Sequence, residues 1–126
     1  MKNTEIARSL FDAFESGDEQ TIRSICSEDM TARQNLNPEM NLDTLFGFSL
    51  AVNKVMPDLH YENIVCADTG TGFVEEHEVC GTLPDGSELR ICACVVATID
   101  NGKLVSLREY VDTASAQALL SVLSAE

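Results

Sequence analysis

The sequence predicts an α+β domain, with three N-terminal helices packed on a curved antiparallel β-sheet that encloses a pocket, and a short C-terminal helix. Three observations predict it. Apolar residues recur at helical spacing as far as Met56. From Leu59 onward the chain breaks into strand-like segments divided by strong turn signals. The length of 126 residues suits one domain with its own core, so residues 1–126 are read as a single unit.

Asn3 or Thr4 is positioned to cap a first helix in which Ile6, Leu10 and Phe14 recur at i, i+4, i+8, with Ala7 and Phe11 widening the stripe. Gly17 ends it, and Asp18 caps a short second helix that carries Ile22 and Ile25 toward the same core. Residues 30–38 fit neither period. Asp43 is the expected cap of a third helix whose Leu45, Phe48, Val52 and Met56 share a face, and Pro57 stops it.

The segment LHYENIVCA has strand composition, and ADTGTG returns the chain into FVEEHEVCGTL. Residues 73–112 then form a three-stranded meander. Leu83-Pro84-Asp85-Gly86 puts Pro where φ near −65° is wanted and Gly where φ must be positive, and Asp100-Asn101-Gly102-Lys103 carries the Asn-Gly pair of a type I′ hairpin. The last strand is KLVSLREYVD. A closing helix starts at Asp112 or Thr113, with Ala116, Leu119, Leu120 and Leu123 on one face. In the middle strand, ICACVVATI, neither face is polar, so both faces should be covered: helices on one side and a second copy of the chain on the other.

A net charge of −13, from 8 Lys and Arg against 21 Asp and Glu, disfavours nucleic acid and anionic membranes as partners. No apolar run approaches the length of a membrane span and the N-terminus lacks a secretory h-region, which points to a soluble cytoplasmic protein. Five cysteines without C-x-x-C spacing read as reduced, mostly buried thiols. Neither a phosphate-cradling nor a dinucleotide-binding glycine motif occurs, so no nucleotide cofactor is expected. Two distant histidines, His60 and His77, without clustered ligand spacing, give a metal site no support.

Three pieces together carry a family resemblance: Pro57-Asp58-Leu59 at the end of the long helix, the Gly81-Thr82-Leu83-Pro84-Asp85-Gly86 turn, and the run from Asp100-Asn101-Gly102-Lys103 to Arg108-Glu109-Tyr110-Val111-Asp112. They resemble the SnoaL-like polyketide cyclases and their ketosteroid isomerase-like relatives in the nuclear transport factor 2-like superfamily. The resemblance implies a cystatin-like cone with a deep hydrophobic pocket, usually a homodimer. The superfamily contains isomerases, cyclases, epoxide hydrolases, dehydratases and non-catalytic binding proteins, so fold leaves function open.

Strand alternation selects the pocket residues. On the last strand one face carries Val105, Leu107, Glu109 and Val111, and a lone carboxylate among Val and Leu is the candidate acid/base, since an apolar surround disfavours the charged form. Similarity to limonene epoxide hydrolase places Glu109 at a catalytic acid position, and Glu78 and Glu76 at that enzyme's second acid and its arginine; Glu76 cannot supply the missing positive charge. Three glutamates in one cavity would repel one another and hold a proton for enolisation or aldol cyclisation. Asn35 roughly matches a water-positioning Asn of the same enzymes, with a polar loop residue as the plainer reading. Asp112 reads as a helix cap, and His77, alternating with Glu75, as an outer-face residue. Cys80, Ile91, Ala93, Val95, Leu107 and Val111 are expected to line the pocket and to suit a small apolar ligand. Two functions follow: a cofactor-independent isomerase, cyclase or hydrolase on an apolar carbonyl compound, or a dimeric carrier that binds such a ligand without chemistry.

Overall fold

The computed structural model describes residues 1–125. Helix α1 (Asn3–Ser16) buries Ile6, Ala7, Leu10, Phe11 and Phe14, the stripe its periodicity predicts, and stops at Gly17, whose φ of 68° ends the helical path. Its start differs from expectation. Lys2 occupies the cap position and offers no side-chain bond; its carbonyl instead accepts from Glu5 and Ile6 N–H. Asp18 caps α2 (Glu19–Ile25), accepting from the Thr21 N–H at 3.1 Å and hydroxyl at 2.6 Å.

Two helices, not three, precede the sheet, because residues of the ambiguous stretch form β1 (Cys26–Gln34) before α3 (Leu42–Val55) begins. Only Cys26, Met30 and Ala32 of β1 are buried, and its register slips between Cys26 and Thr31, so an alternating pattern is absent. Asn41 caps α3, not Asp43: its side chain accepts from Thr44 N–H at 2.9 Å, while Asp43 pairs with Arg23.

The remaining strands are β2 (His60–Asp68), β3 (Gly72–Thr82), β4 (Glu88–Asp100) and β5 (Lys103–Val111), and α4 (Thr113–Ala125) closes the chain behind its cap Asp112. The expected meander of β3, β4 and β5 is present. Gly86 has φ 89° in its first turn, and Asn101 and Gly102 have φ 51° and 75° in its second, as a type I′ hairpin requires. The sheet order is β1-β5-β4-β3-β2, and β1 runs parallel to β5, so the sheet is mixed rather than wholly antiparallel.

Register decides what each face carries. Across the concave face, Glu75 stands opposite Val95, Val95 opposite Glu109, and Glu109 opposite Gln34; in the next row His77 faces Ala93 and Ala93 faces Val111. Helices α1 and α2 close one half of this face with an apolar core around Leu10, Phe73 and Leu104, and α4 closes the other half over Leu89 and Ile91. A cavity remains between the two cores.

Candidate functional site

The cavity has a volume of about 360 Å³, within the range of small-molecule sites. Phe11 and Phe14 reach it from α1, Leu45 and Val52 from α3, and Leu119 from α4, so its walls are mainly apolar. Ile91, Val95, Leu107 and Val111 line it as alternation along β4 and β5 predicts. Ala93 shares that face and is buried, but His77 and Val111 flank it and it does not reach the cavity.

Glu109 is the one carboxylate among the described lining residues. Gln34 Nε2 donates to its Oε1 at 2.8 Å, fixing one carboxylate oxygen and leaving the other for the cavity. The parallel pairing of β1 with β5 creates this contact. Asn35 follows at the end of β1 with φ 51°, and does something else: its Nδ2 donates to the Val111 carbonyl at 3.3 Å and its Oδ1 accepts from Val111 N–H at 3.1 Å. Both ends of the amide are thereby occupied in clamping β1 to β5, and Asn35 is not among the residues lining the cavity.

The other expected acids are displaced by one residue of register. Glu76 and Glu78 lie on the outer face of β3, Glu76 exposed and Glu78 held by Arg90 at 3.2 Å and by Asn63. Those bonds pull the Glu78 carboxyl below its ordinary range, with Asn63 the larger influence. Cys80 is buried on the same outer face opposite His60, and does not line the cavity. The run Glu75-Glu76-His77-Glu78 has no apolar alternation to fix its facing, and a slip of one residue exchanges every side chain between faces.

What faces inward from β3 is therefore Phe73, Glu75, His77 and Val79. His77, expected outside, is 2% exposed and Glu75 1%, and His77 Nδ1 lies 2.6 Å from Glu75 Oε2. Among the described residues none bonds Nε2 of His77. The imidazole packs edge-on against Phe11 at 4.9 Å and at a 42° tilt against Tyr61 at 4.5 Å, and both of these rings line the cavity.

Tyr61 reaches this wall from β2, with its backbone N–H bonded to Glu15 Oε1 at 3.0 Å. Burial, reinforced by the negative charges of Glu109, Glu15 and Glu75, pushes its phenol far above the usual tyrosine range. Tyr61 is thus a neutral O–H donor at every physiological pH. The signal that could have found Tyr61, His77 and Glu75 is joint: placing Tyr61 on the concave face fixes the register of β3 against β2, where Tyr61 stands opposite Val79.

Helices laid on one side of a mixed five-stranded sheet, with an apolar cavity and a carboxylate between the layers, define the ketosteroid isomerase-like α+β class. The sequence profile of SnoaL-like domains matches residues 7–107, and the chain belongs to that family. Among solved structures it resembles a candidate polyketide cyclase from Pseudomonas putida KT2440, with TM-score 0.79, 20% identity and coverage of 91% of this chain and 95% of that one. A second candidate polyketide cyclase, from Xanthomonas campestris pv. campestris, has TM-score 0.80 and 19% identity, over 92% and 94% of the two chains. A protein of ketosteroid isomerase-like fold from Catenulispora acidiphila DSM 44928, solved with trimethylamine, has TM-score 0.78 and 13% identity, over 90% of each. At these identities the likeness is one of fold. No curated protein matches the sequence. No helix among the described residues is long and apolar enough to cross a membrane.

Proposed function

We propose that the cavity takes a small apolar carbonyl compound and that Glu109 moves a proton on it, without a cofactor. The observation that carries this reading is a single carboxylate, oriented by Gln34, in an otherwise mainly apolar cavity of about 360 Å³. Glu109 takes the proton from the carbon next to the carbonyl, the C–H electron pair becomes the enolate double bond, and charge moves to the oxygen. The neutral Tyr61 hydroxyl is suited to donate to that oxygen. Return of the proton to another carbon completes an isomerisation; attack of the enolate carbon on a second carbonyl of the same molecule, with the proton passing from Glu109 to the alkoxide so formed, completes a cyclisation and regenerates the carboxylate. The His77–Glu75 pair packs behind Tyr61 and positions its ring.

Deuterium exchange next to the carbonyl of 2-tetralone, followed by NMR, tests the proposal. Wild-type protein should accelerate exchange over buffer, and Glu109→Gln should reduce that acceleration about 100-fold or more, while 2-naphthol binding changes less than about tenfold. A second reading is favoured by the Gln34 bond, which satisfies Glu109 as an ordinary acid: the protein carries the ligand and breaks no bond. Tight 2-naphthol binding with no acceleration by wild type, or exchange indifferent to Glu109→Gln, selects the carrier.

We further propose a cytoplasmic homodimer through the outer sheet face. Support comes from the five free thiols and from Cys92, Cys94, Val96 and Tyr110, which remain exposed or half-exposed on that face. Sedimentation showing a stable monomer at micromolar concentration overturns the dimer.

A further inference from the structure

On the outer side of the sheet, away from the cavity, β2 and β3 bring three ligand-type side chains to one spot. His60 and Glu62 alternate along β2, and His60 stands opposite Cys80 of β3. One donor atom of each lies within 4.8 Å of the others, and His60 Nε2 is 2.7 Å from Glu62 Oε2. Around a tetrahedral zinc, bonds of roughly 2.0–2.3 Å put ligand atoms about 3.3–3.6 Å apart. The present spacing brackets that value, so rotamer adjustments within the cluster suffice.

The cluster is also held in place. His60 Nδ1 donates to the Asp58 carbonyl at 2.9 Å and keeps its proton, while Nε2, which donates to Glu62 Oε2 at 2.7 Å, gives up its proton on taking a metal ion and is the nitrogen aimed at Glu62 and Cys80. A ligating histidine is commonly oriented by a bond of this kind. Asp58 is itself fixed by Thr82, whose N–H and hydroxyl donate to its carboxylate at 2.9 and 2.7 Å. Between Cys80 and Thr82, Gly81 packs so closely on Met56 that an added methyl would come 2.9 Å from its sulfur.

One group opposes a cation. Arg90 Nη2 lies 3.5 Å from Glu62 Oε2, but Nη1 is held independently by Glu78 at 3.2 Å, so Glu62 can leave without stranding the guanidinium. Imidazole, thiolate and carboxylate together form a borderline-soft set that favours zinc over magnesium or calcium.

We propose that His60, Glu62 and Cys80 form a three-ligand site for a zinc-class divalent cation, with the fourth position open to water, pinning edge strand β2 to β3. Spacing along the sequence could not reveal it, because the ligands meet across a strand pair.

The test uses the full chain, reduced and freed of metal by a chelator, titrated with zinc sulfate and separately with cobalt chloride. One equivalent of zinc should bind, and cobalt should show a thiolate charge-transfer band beside tetrahedral d–d bands. His60→Ala, at an exposed position, should weaken zinc binding about tenfold or more, and Cys80→Ser should abolish the charge-transfer band. Arg90→Gln should tighten binding by removing the competing charge, and the double variant Cys92→Ser, Cys94→Ser should leave it unchanged. Absence of saturable binding overturns the proposal, as does binding that survives His60→Ala and Cys80→Ser or is lost with Cys92 and Cys94.

Discussion

His77 and Glu75, two residues apart on β3, share a 2.6 Å contact behind the cavity wall, with side chains 0% and 1% exposed. Removing one member of such a buried pair strands the other. His77→Leu is expected to cost about 1–3 kcal/mol in urea unfolding, and Glu75→Leu a comparable amount. The double variant should be much less destabilised than the sum of the two, because no polar group is then left without a partner. Additive losses would mean that each side chain acts alone.

Tyr61 gives the protein an alkaline limit. Folding raises its phenol pKa, so the folded state holds this proton more tightly than the unfolded chain does. The resulting stability is intact below the unfolded value of about 10 and falls as pH rises above it. Tyrosinate absorbance at 295 nm should therefore contain a component that appears only with unfolding. Tyr61→Phe should abolish that component; its persistence in the variant would assign it elsewhere.

Asn35 is expected to act through backbone, not chemistry. Asn35→Ala removes two hydrogen bonds to Val111 and puts a side chain with no local polar partner at φ 51°, for a loss of about 2 kcal/mol. Asn35→Gly loses the same bonds but accepts the conformation, and should recover about 1 kcal/mol of that loss. Equal unfolding midpoints for the two would remove the conformational part of this account.

The cap of α3 is distinguishable from its neighbour by substitution. Asn41→Ala should cost about 1 kcal/mol, since the Thr44 N–H loses its acceptor. Asp43→Ala breaks only an exposed ion pair with Arg23 and should stay within about 0.5 kcal/mol in chemical denaturation. The reverse order would restore Asp43 as the cap.

The legible parts of this fold are those where one physical signal dominates. Pro84-Asp85-Gly86 and Asn101-Gly102 specify their turns locally, and Leu107, Glu109 and Val111 alternate cleanly enough to place Glu109 at the cavity. β1 was illegible because it is an edge strand with few buried residues and a slipped register. Its pairing with β5 spans some 75 residues, which no local pattern encodes, and Gln34 beside Glu109 is a product of that pairing. β3 was legible as a strand but not in its facing, because four consecutive ionisable residues hide which two are inside. Glu75 and His77 are buried with a bond to each other, a property of the pair and not of either residue alone.

The pairing of β1 with β5 also sets an order of assembly. During synthesis β1 emerges early, while the strand it must join is made only after β2, β3 and β4. Until then Thr31 and Ala32 have no sheet neighbour along that edge, and the carboxylate of Glu109 and the amide of Gln34 have not met. Closure of so distant a pair is slow relative to the hairpins, which leaves a partly formed sheet exposed to association with other chains. The acid that gives the cavity its chemistry is thus installed by the strand that finishes the sheet, and a nascent chain stalled before Lys103 holds neither.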